Sequence, residues 1–262
     1  MTRMKLLTAT DLHQHRWLYE GLEKAVEEHK PDVLALAGDF LDAGELTADH
    51  CRPEECAERL AALPCETVFT MGNHDADGWE PFVERWLKLG RSLFAPHGEA
   101  VIFGPLVVVG FPCSFGNDRF FLMGRPHKSM DVEQWLPKII EQYGRAARTC
   151  WLMHEPPART KLCPADGFLA GLDEWREAVK RYQPWLTVHG HNHITPLVNK
   201  CWHDKINRTI CINAGQPHRT MRSPKPLHYC VFDFGFPGNE PSLPTKVEVS
   251  AYPWNQRFDI PK

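Results

Sequence analysis

The chain has 262 residues, of which 43% are hydrophobic and 24% are charged, and its formal net charge is -3. This share of hydrophobic residues is enough for a substantial core. The balanced charge disfavours a dedicated nucleic-acid binder, although folding could still bring basic residues together in a local patch. No break in composition separates two parts of the chain, so we predict a single domain over residues 1–262.

The cysteines and the apolar runs bear on the cellular compartment. There are nine cysteines and no Cys-x-x-Cys pair, and scattered cysteines in a chain of this size are more often reduced core residues than a disulfide framework. The first apolar run stops at Asp11, which is too short for a signal peptide, and no run reaches membrane-spanning length. We therefore expect a soluble, cytoplasmic protein without a membrane partner.

Strands and helices alternate in the first part of the chain. Apolar runs predict strands at 6–10, 32–37 and 66–70, and helical spacing predicts helices at 17–29 and 53–63. Repeated strand–helix–strand units imply parallel strands that are joined by right-handed crossovers.

The second part of the chain has a different pattern. Residues 100–111 form a hairpin candidate, and residues 112–127 are irregular. Helices are predicted at 132–147 and 171–182, and strands at 149–153 and 186–188. Short apolar runs then predict antiparallel strands at 195–199, 209–213, 228–234 and 245–252.

Five polar clusters each follow directly after a predicted strand. They are Asp11-Leu12-His13, Gly38-Asp39, Gly72-Asn73-His74-Asp75, His154 and Gly190-His191-Asn192-His193. In open α/β sheets, the carboxyl ends of the strands border the crevice where ligands bind. We therefore expect these residues to converge, although they are far apart in the sequence.

The residue types in these clusters suit divalent metal ions. Imidazole suits Zn, Fe and Ni, whereas carboxylate and amide oxygens suit Mn and Mg. Asp11 and His13 lie two residues apart, as do His191 and His193, so each pair faces one side of an extended segment. A carboxylate has two oxygens, so a single Asp can bridge two ions.

Each cluster taken alone also has an interpretation without function. Asp-x-His and Gly-Asp after a strand are usually turns or caps, and a lone His154 is most often a hydrogen-bonded polar residue. The tetrapeptide at 72–75 is more specific, since it arises by chance on the order of once in a thousand chains of this length. The presence of all five clusters, each at a strand end, favours a metal centre.

In this order, the five clusters resemble the motifs of the calcineurin-like metallophosphoesterase superfamily, over residues 11–193. The resemblance implies an α/β fold, a four-layer αββα sandwich with two central mixed β-sheets, in which the strand-rich tail after 195 fits the second sheet. It also implies two divalent metal ions (Mn, Fe or Zn) and assigns their ligands by motif position. One ion would take Asp11, His13, His193 and Asp39, and the second would take Asp39, Asn73, His154 and His191.

The same resemblance implies a catalytic mechanism. A hydroxide that bridges the two ions would attack phosphorus in line with the leaving group. His74 would bind no metal and would lie over the phosphate, as a general acid or as a stabiliser of the phosphate oxygens. Asp75 would orient or polarise His74. No covalent intermediate is expected.

Further residues are expected around the ions. Asn73, His74 and His218 are the predicted substrate-binding residues. Residues 213–215 resemble, more loosely, the segment that closes the family site. We expect Asp42 to be a loop contact and not a ligand, and we expect the loop at 115–127 to lie near the site.

The resemblance implies hydrolysis of phosphodiesters or small phosphomonoesters, with a small phosphorylated molecule as the substrate. A nuclease of the same superfamily is the alternative enzyme, and it would need a basic groove that the charge balance disfavours. A non-catalytic protein-binding scaffold is a third interpretation, but it would be expected to have lost His74 or several ligands, all of which are present. Residues 38–42 lack the Arg of the protein Ser/Thr phosphatases, which argues against that branch.

Overall fold

The structure is a computed structural model. It describes residues 1–42, 47–94, 99–111, 120–122, 125–127, 132–143, 149–164, 170–216, 226–254 and 256–259. In chain order the elements are β1 (Thr2–Ala9), α1 (Arg16–His29), β2 (Val33–Ala37), α2 (Pro53–Ala61), β3 (Glu66–Thr70), α3 (Ala76–Lys88), β4 (Ala100–Phe103), β5 (Leu106–Phe111), β6 (Phe120–Leu122), β7 (Arg125–His127), α4 (Val132–Tyr143), β8 (Thr149–Met153), α5 (Asp173–Tyr182), β9 (Leu186–Val188), α6 (Thr195–Asn199), β10 (His203–Ile206), β11 (Thr209–Ile212), β12 (Tyr229–Phe236), β13 (Lys246–Tyr252) and β14 (Gln256–Asp259).

Two six-stranded sheets form the centre of the fold. The first has the strand order β14-β13-β12-β1-β2-β3, and the second has the order β10-β11-β9-β8-β5-β4. In the first sheet β1, β2 and β3 are parallel, and β12, β13 and β14 extend it through antiparallel pairs. In the second sheet β5, β8, β9 and β11 are parallel, and β4 and β10 add antiparallel edges. Both sheets are therefore mixed.

Three groups of buried side chains separate the layers. The facing surfaces of the two sheets meet in one core, to which Leu6 and Val33 contribute from the first sheet and Val108 and Leu152 from the second. A second core packs the outer face of the first sheet against α1, α2 and α3. A third core packs the outer face of the second sheet against α4 and α5. This helix–sheet–sheet–helix order confirms the predicted αββα sandwich.

The amphipathic pattern of α1 explains how one of these layers forms. The helix buries one face, at helical spacing, through Leu18, Tyr19, Leu22, Ala25 and Val26. The N–H of Lys30 still donates to the carbonyl of Val26 at 2.8 Å, and the left-handed backbone of Lys30 (φ 47°) then turns the chain out of the helix. Pro31 then prevents continuation of the helix and starts the connection to β2.

The strand registers align the carboxyl ends of the parallel strands. Ala37 at the end of β2 pairs with Thr70 at the end of β3, and Leu152 of β8 pairs with Val188 of β9. The His154 ring then donates from Nδ1 to the carbonyl of Ala37 at 2.9 Å, so the same edges of the two sheets are joined. The loops that carry the polar clusters therefore leave the sheets at one place.

The tail of the chain differs from the expectation in two ways. Residues 195–199 form the short helix α6 instead of a strand, because Pro196 lies in its first turn and Lys200 ends it in the left-handed region (φ 50°). The later strands complete both sheets, since β10 and β11 join the second sheet and β12, β13 and β14 extend the first. The expectation that the tail fits the second sheet therefore holds for β10 and β11 and does not hold for β12, β13 and β14.

Several elements were missed from the sequence. The helix α3 contains Gly78 and Pro81, which weaken its helical signal, although Trp79, Phe82 and Trp86 form a buried face at helical spacing. The strands β10 and β14 were also not predicted. Within the segment that was expected to be irregular, β6 and β7 pair as a short antiparallel ribbon.

Within the described ranges, no helix combines the length and the apolar character that crossing a membrane requires. The cysteines in these ranges are free thiols, and all of them except Cys201 are buried.

Candidate metal centre

Four of the predicted ligands have a left-handed backbone. Asp11, His13, Asp39 and His191 have φ angles of 55°, 44°, 49° and 64°. This conformation costs residues with a Cβ on the order of 1–3 kcal/mol, and it is concentrated at functional sites. The N–H of Asp11 donates to the carbonyl of Gly38 at 3.0 Å, and the N–H of His13 donates to the carbonyl of Asp39 at 2.8 Å. The loops after β1 and β2 therefore hold each other in this conformation.

One group of side chains converges from the loops after β1 and β9. Nε2 of His193 lies 3.1 Å from Oδ1 of Asp11 and 3.2 Å from Nε2 of His13. The three residues each offer a ligand atom, and these atoms lie within 4.8 Å of one another. This group could hold one metal ion.

A second group lies beside the first. Nε2 of His154 is 3.2 Å from Oδ2 of Asp39, and Asp39, His154 and His191 again offer ligand atoms within 4.8 Å of one another. The side-chain oxygen of Asn73 lies 2.9 Å from Nε2 of His154 and 2.9 Å from Nδ1 of His191. This group could hold another ion.

Asp39 lies between the two groups. Its Oδ2 is 3.2 Å from Nε2 of His154 in the second group and 3.9 Å from Nε2 of His13 in the first. Its Oδ1 accepts the backbone N–H of His74 at 2.8 Å. Because one carboxylate faces both groups, Asp39 has the position that a bridging ligand requires.

The chemistry of the donor atoms fits a metal ion. Nδ1 of His154 donates to the carbonyl of Ala37, so a neutral His154 carries a lone pair on Nε2. That nitrogen faces the side-chain oxygens of Asn73 and Asp39, which also carry lone pairs. When Nε2 has lost its proton, three electron-rich groups point at one another, and a metal ion in the place of that proton would satisfy all three.

The electrostatics of the centre agree with this fit. Burial lowers the pKa of His154, but the carboxylates of Asp39 and Asp11 outweigh it and raise that pKa to about 10. The buried carboxylates therefore keep His154 protonated near pH 7 when no metal is bound, and a metal ion would supply the positive charge in place of that proton. Burial lowers the pKa of His13 and of His191 to about 4. Both imidazoles are therefore neutral near pH 7, which is the form that binds metals.

Two motif glycines leave room for the carboxylates. A Cβ on Gly72 would overlap Oδ1 of Asp39, and a Cβ on Gly190 would overlap Oγ1 of Thr10 and lie 2.5 Å from Oδ2 of Asp11. The Thr10 hydroxyl in turn donates to Oδ2 of Asp11 at 2.8 Å. Any larger residue at either position would push a predicted ligand out of place.

His74 lies at the mouth of the centre, and its partner is Asp42. The side chain of His74 is 39% exposed, that of Asp42 is 2% exposed, and Nδ1 of His74 lies 3.0 Å from Oδ1 of Asp42. This hydrogen bond raises the pKa of His74 above its usual value. His13, Asp39 and His74 also offer ligand atoms within 4.8 Å of one another, so proximity alone does not distinguish His74 from a ligand.

The carboxylate of Asp75 holds the loop backbone, and none of its described hydrogen bonds is to His74, which it was expected to orient. It is fully buried and accepts the backbone N–H groups of Gly72 (2.6 Å), Leu41 (2.7 Å) and Asp39 (2.8 Å). Burial and the charge of Asp39 raise the pKa of Asp75 to about 7. Asp75 thus holds the loops after β2 and β3 together, and Asp42 is the carboxylate that contacts His74.

The remaining sequence predictions differ in their outcome. Asn213 donates to the carbonyls of Gly190 (3.1 Å) and Asn192 (3.2 Å), so the segment at 213–215 lies against the loop that carries His191 and His193. His218 lies outside the described residues. Of the loop at 115–127, only the strands β6 and β7 are described, and the expectation that the loop lies near the site stays a prediction.

Two polar residues at the centre were missed or misjudged from the sequence. Thr10 was assigned to a strand end, and Asp42 was expected only to contact the loop. A signal for Asp42 was present, since it lies three residues after Asp39 in the same loop. Its direction towards His74 depends on the left-handed turn at Asp39, which the sequence does not reveal.

Comparisons with known proteins agree with this architecture. A family model described as calcineurin-like phosphoesterase matches residues 4–195. The structure of a dimetal phosphatase from Danio rerio is similar to that of this chain, with a TM-score of 0.55 and 11% sequence identity. The alignment covers 98% of this chain and 98% of that one. The phosphopantetheinyl hydrolase from Mycobacterium tuberculosis has a TM-score of 0.51 and 17% identity, covering 81% of this chain and 90% of that one.

A protein from Thermus thermophilus has a TM-score of 0.59 and 16% identity, covering 82% of this chain and 90% of that one. Among curated proteins there is no significant match. At these identities the structural similarities concern the fold, whereas the family model covers most of the chain, including all five polar clusters. The chain therefore belongs to the calcineurin-like phosphoesterase family and is a metal-dependent hydrolase of phosphoric ester bonds.

Proposed function

We propose that this chain hydrolyses phosphodiesters or small phosphomonoesters at a centre of two adjacent divalent ions. One observation carries the proposal: two groups of electron-rich side chains lie side by side and share the carboxylate of Asp39. A single ion would need only one of these groups. The resemblance of the motifs implies the same division of the ligands, which supports the proposal.

The first ion would be held by Asp11, His13, His193 and Asp39, and the second would be held by Asp39, Asn73, His154 and His191. When bound, the two ions would supply an activated water and positive charge against the phosphate oxygens. The mixed set of nitrogen and oxygen ligands suits Mn, Fe or Zn. The Danio rerio protein of the same fold is a dimetal phosphatase, which supports two ions here.

The proposed role of His74 is to act on the phosphate and not to bind metal. Its ring packs edge-on against His13, with centroids 4.8 Å apart, so it borders the first group from the exposed side. Asp42 holds Nδ1 and raises the pKa of His74, which keeps a proton available at higher pH. His74 can then protonate the leaving oxygen or stabilise the phosphate oxygens.

A small phosphorylated molecule is the proposed substrate. The net charge of -3 gives the chain no overall attraction for nucleic acid. The Mycobacterium tuberculosis protein of the same fold is a phosphopantetheinyl hydrolase, which supports a small substrate. Among the described residues, Asn73 and His74 are proposed to contact the phosphate. His218 is proposed as a further contact from the sequence alone.

Metal removal tests the dinuclear centre. The protein is treated with a strong chelator, its metal content is measured, and Mn²⁺, Fe²⁺ or Zn²⁺ is then added back in steps. We expect activity to disappear with the metal and to return fully only when about two ions are bound per chain. Full activity after verified metal removal, or saturation with a single ion, would contradict the proposal.

A substrate panel on metal-analysed protein tests the ester class. The panel compares a nitrophenyl phosphomonoester, the matching diester, cyclic nucleotides and single-stranded DNA. We expect turnover of the small esters with weak dependence on salt. Preferential cleavage of DNA with steep salt dependence would instead indicate the nuclease alternative.

A further inference from the structure

The predicted ligand histidines share a pattern of contacts. In each case below, one ring nitrogen faces the centre and the other lies near an oxygen. That oxygen is within hydrogen-bond distance for His154, and for His13 and His191 it belongs to a carboxylate 3.9 Å away. Nε2 of His154 faces the centre, and its Nδ1 donates to the carbonyl of Ala37 at 2.9 Å. Nε2 of His13 faces the centre, and its Nδ1 lies 3.9 Å from Oδ1 of Asp42.

His191 follows the same pattern with the two nitrogens exchanged. Its Nδ1 lies 2.9 Å from the side-chain oxygen of Asn73, at the second group. Its Nε2 lies 3.9 Å from Oε1 of Glu155. The oxygen on the far side of this ring therefore belongs to a carboxylate that no motif includes.

Glu155 is held in place and largely removed from solvent. Only 7% of the residue is exposed, which is unusual for Glu unless its charge is balanced. It follows His154 directly, and the carbonyl of His154 accepts the N–H of Gly190 at 2.9 Å. The loops that carry Glu155 and His191 are therefore fastened to each other.

We infer that Glu155 is a positioning residue that fixes the orientation and the tautomer of His191 and thereby strengthens binding of the second ion. The inference rests on the proposed dinuclear function. A neutral imidazole has one donor and one acceptor nitrogen. At 3.9 Å the contact is electrostatic and not a direct hydrogen bond. The negative charge of Glu155 favours the proton on Nε2, so the lone pair stays on Nδ1, beside Asn73, where the second ion would bind.

The effect should be confined to one of the two ions. Outer carboxylates of this kind typically change metal affinity about 10–100-fold. The first ion would have its own histidines, His13 and His193, which contact each other, Asp11 and Asp42. Loss of Glu155 should therefore separate the two binding steps.

Two substitutions at Glu155 and one control test the inference. Glu155→Leu removes the acceptor oxygen, whereas Glu155→Gln keeps an oxygen of the same reach. Glu174→Ala removes an exposed carboxylate on α5 and serves as the control. Metal-free samples are titrated with Mn²⁺ while electron paramagnetic resonance follows the free ion and the spin-coupled pair, and circular dichroism follows thermal unfolding.

We expect Glu155→Leu to weaken the second Mn²⁺ about 10–100-fold with the first unchanged, and Glu155→Gln to stay within about threefold of the wild type. Unchanged binding of both ions in Glu155→Leu would overturn this inference and leave the proposed dinuclear function standing. An equal loss at both ions, or an equal effect of Leu and Gln, would show a general structural role and would also overturn it. A wild type that binds one ion would overturn the proposed function itself.

Discussion

Oδ1 of Asp42 lies 3.0 Å from Nδ1 of His74, and the pair joins a buried carboxylate to an exposed imidazole at the mouth of the centre. The hydrogen bond holds Nδ1 of the ring, so Nε2 is the nitrogen that we propose acts on the substrate. It also raises the pKa of His74. The orientation of His74, the proposed proton donor, is therefore set by a residue outside the five motif clusters.

Asp42→Asn should lower the rate and shift its pH dependence. A general acid works only while it is protonated, so activity is lost as the pH rises through the pKa of His74. Asp42 raises that pKa, and its replacement should move the alkaline limb of the profile to lower pH. A general acid typically accelerates a reaction about 10²–10⁴-fold, and we expect Asp42→Asn to lower kcat by about tenfold. The measurement is kcat against pH at saturating metal, and an unshifted alkaline limb would argue against this role.

His74→Ala should separate catalysis from metal binding. We expect kcat to fall by roughly a hundredfold, which is typical for loss of a general acid. Metal content should stay at the wild-type level, because the two groups of ligands remain intact. Metal analysis is carried out beside the kinetics to distinguish a catalytic role of His74 from metal binding. A variant that has lost metal would show that His74 is a ligand together with His13 and Asp39.

Asp39→Ala should remove metal from both positions. Its carboxylate is the one that faces both groups, with Oδ2 3.2 Å from His154 and 3.9 Å from His13. We expect turnover to be abolished and the bound metal to fall at both sites together. The exposed Asp77 on α3 gives a control, since Asp77→Ala should change neither quantity. Asp39→Ala protein with near-normal metal and rate would exclude the bridging role.

Much of the sandwich was predictable from the sequence. The strands β3, β5, β8 and β9 begin and end near their predicted residues, because continuous apolar runs bounded by polar residues are typical of buried parallel strands. The strand predicted at 195–199 is a helix, because an apolar run of five residues is too short to distinguish a strand from a helical turn with proline near its start. Pairing of the tail with both sheets depends on contacts across the whole chain.

The candidate site was predictable at the level of residue types and strand ends. The seven predicted ligands converge because the parallel registers align those ends. The side-chain directions were not predictable, because they depend on left-handed residues such as Asp39. Asp75 is next to His74 in the sequence yet points into the loop, whereas Asp42 reaches His74 across it.

Gly190→Ala should damage the centre without touching a ligand. The new Cβ would overlap Oγ1 of Thr10 and crowd Oδ2 of Asp11, so the loops after β1 and β9 would have to separate. Overpacking of this kind typically costs about 1–3 kcal/mol of stability. We expect weaker metal binding and a lower unfolding temperature. Gly238 has open space around it, so Gly238→Ala is the matched control and should leave both unchanged.

His189 should make the metal-free protein sensitive to acid. Its ring is fully buried, neither ring nitrogen has a hydrogen-bond partner among the described residues, and burial lowers its pKa to about 3. The unfolded chain has the ordinary value of 6.5 and binds the proton more readily. Its contribution to stability is therefore complete above pH 6.5 and is lost as the pH falls towards 3.

His189→Leu removes this titration and keeps an apolar group of similar size. Between pH 6.5 and 4.5 the wild type should lose about 2 kcal/mol more of its unfolding free energy than the variant, because each pH unit costs up to about 1.4 kcal/mol. Urea unfolding of chelator-treated protein at several pH values measures the difference. Other groups titrate equally in both proteins, so parallel pH profiles would mean that His189 is charged or hydrated in the folded state.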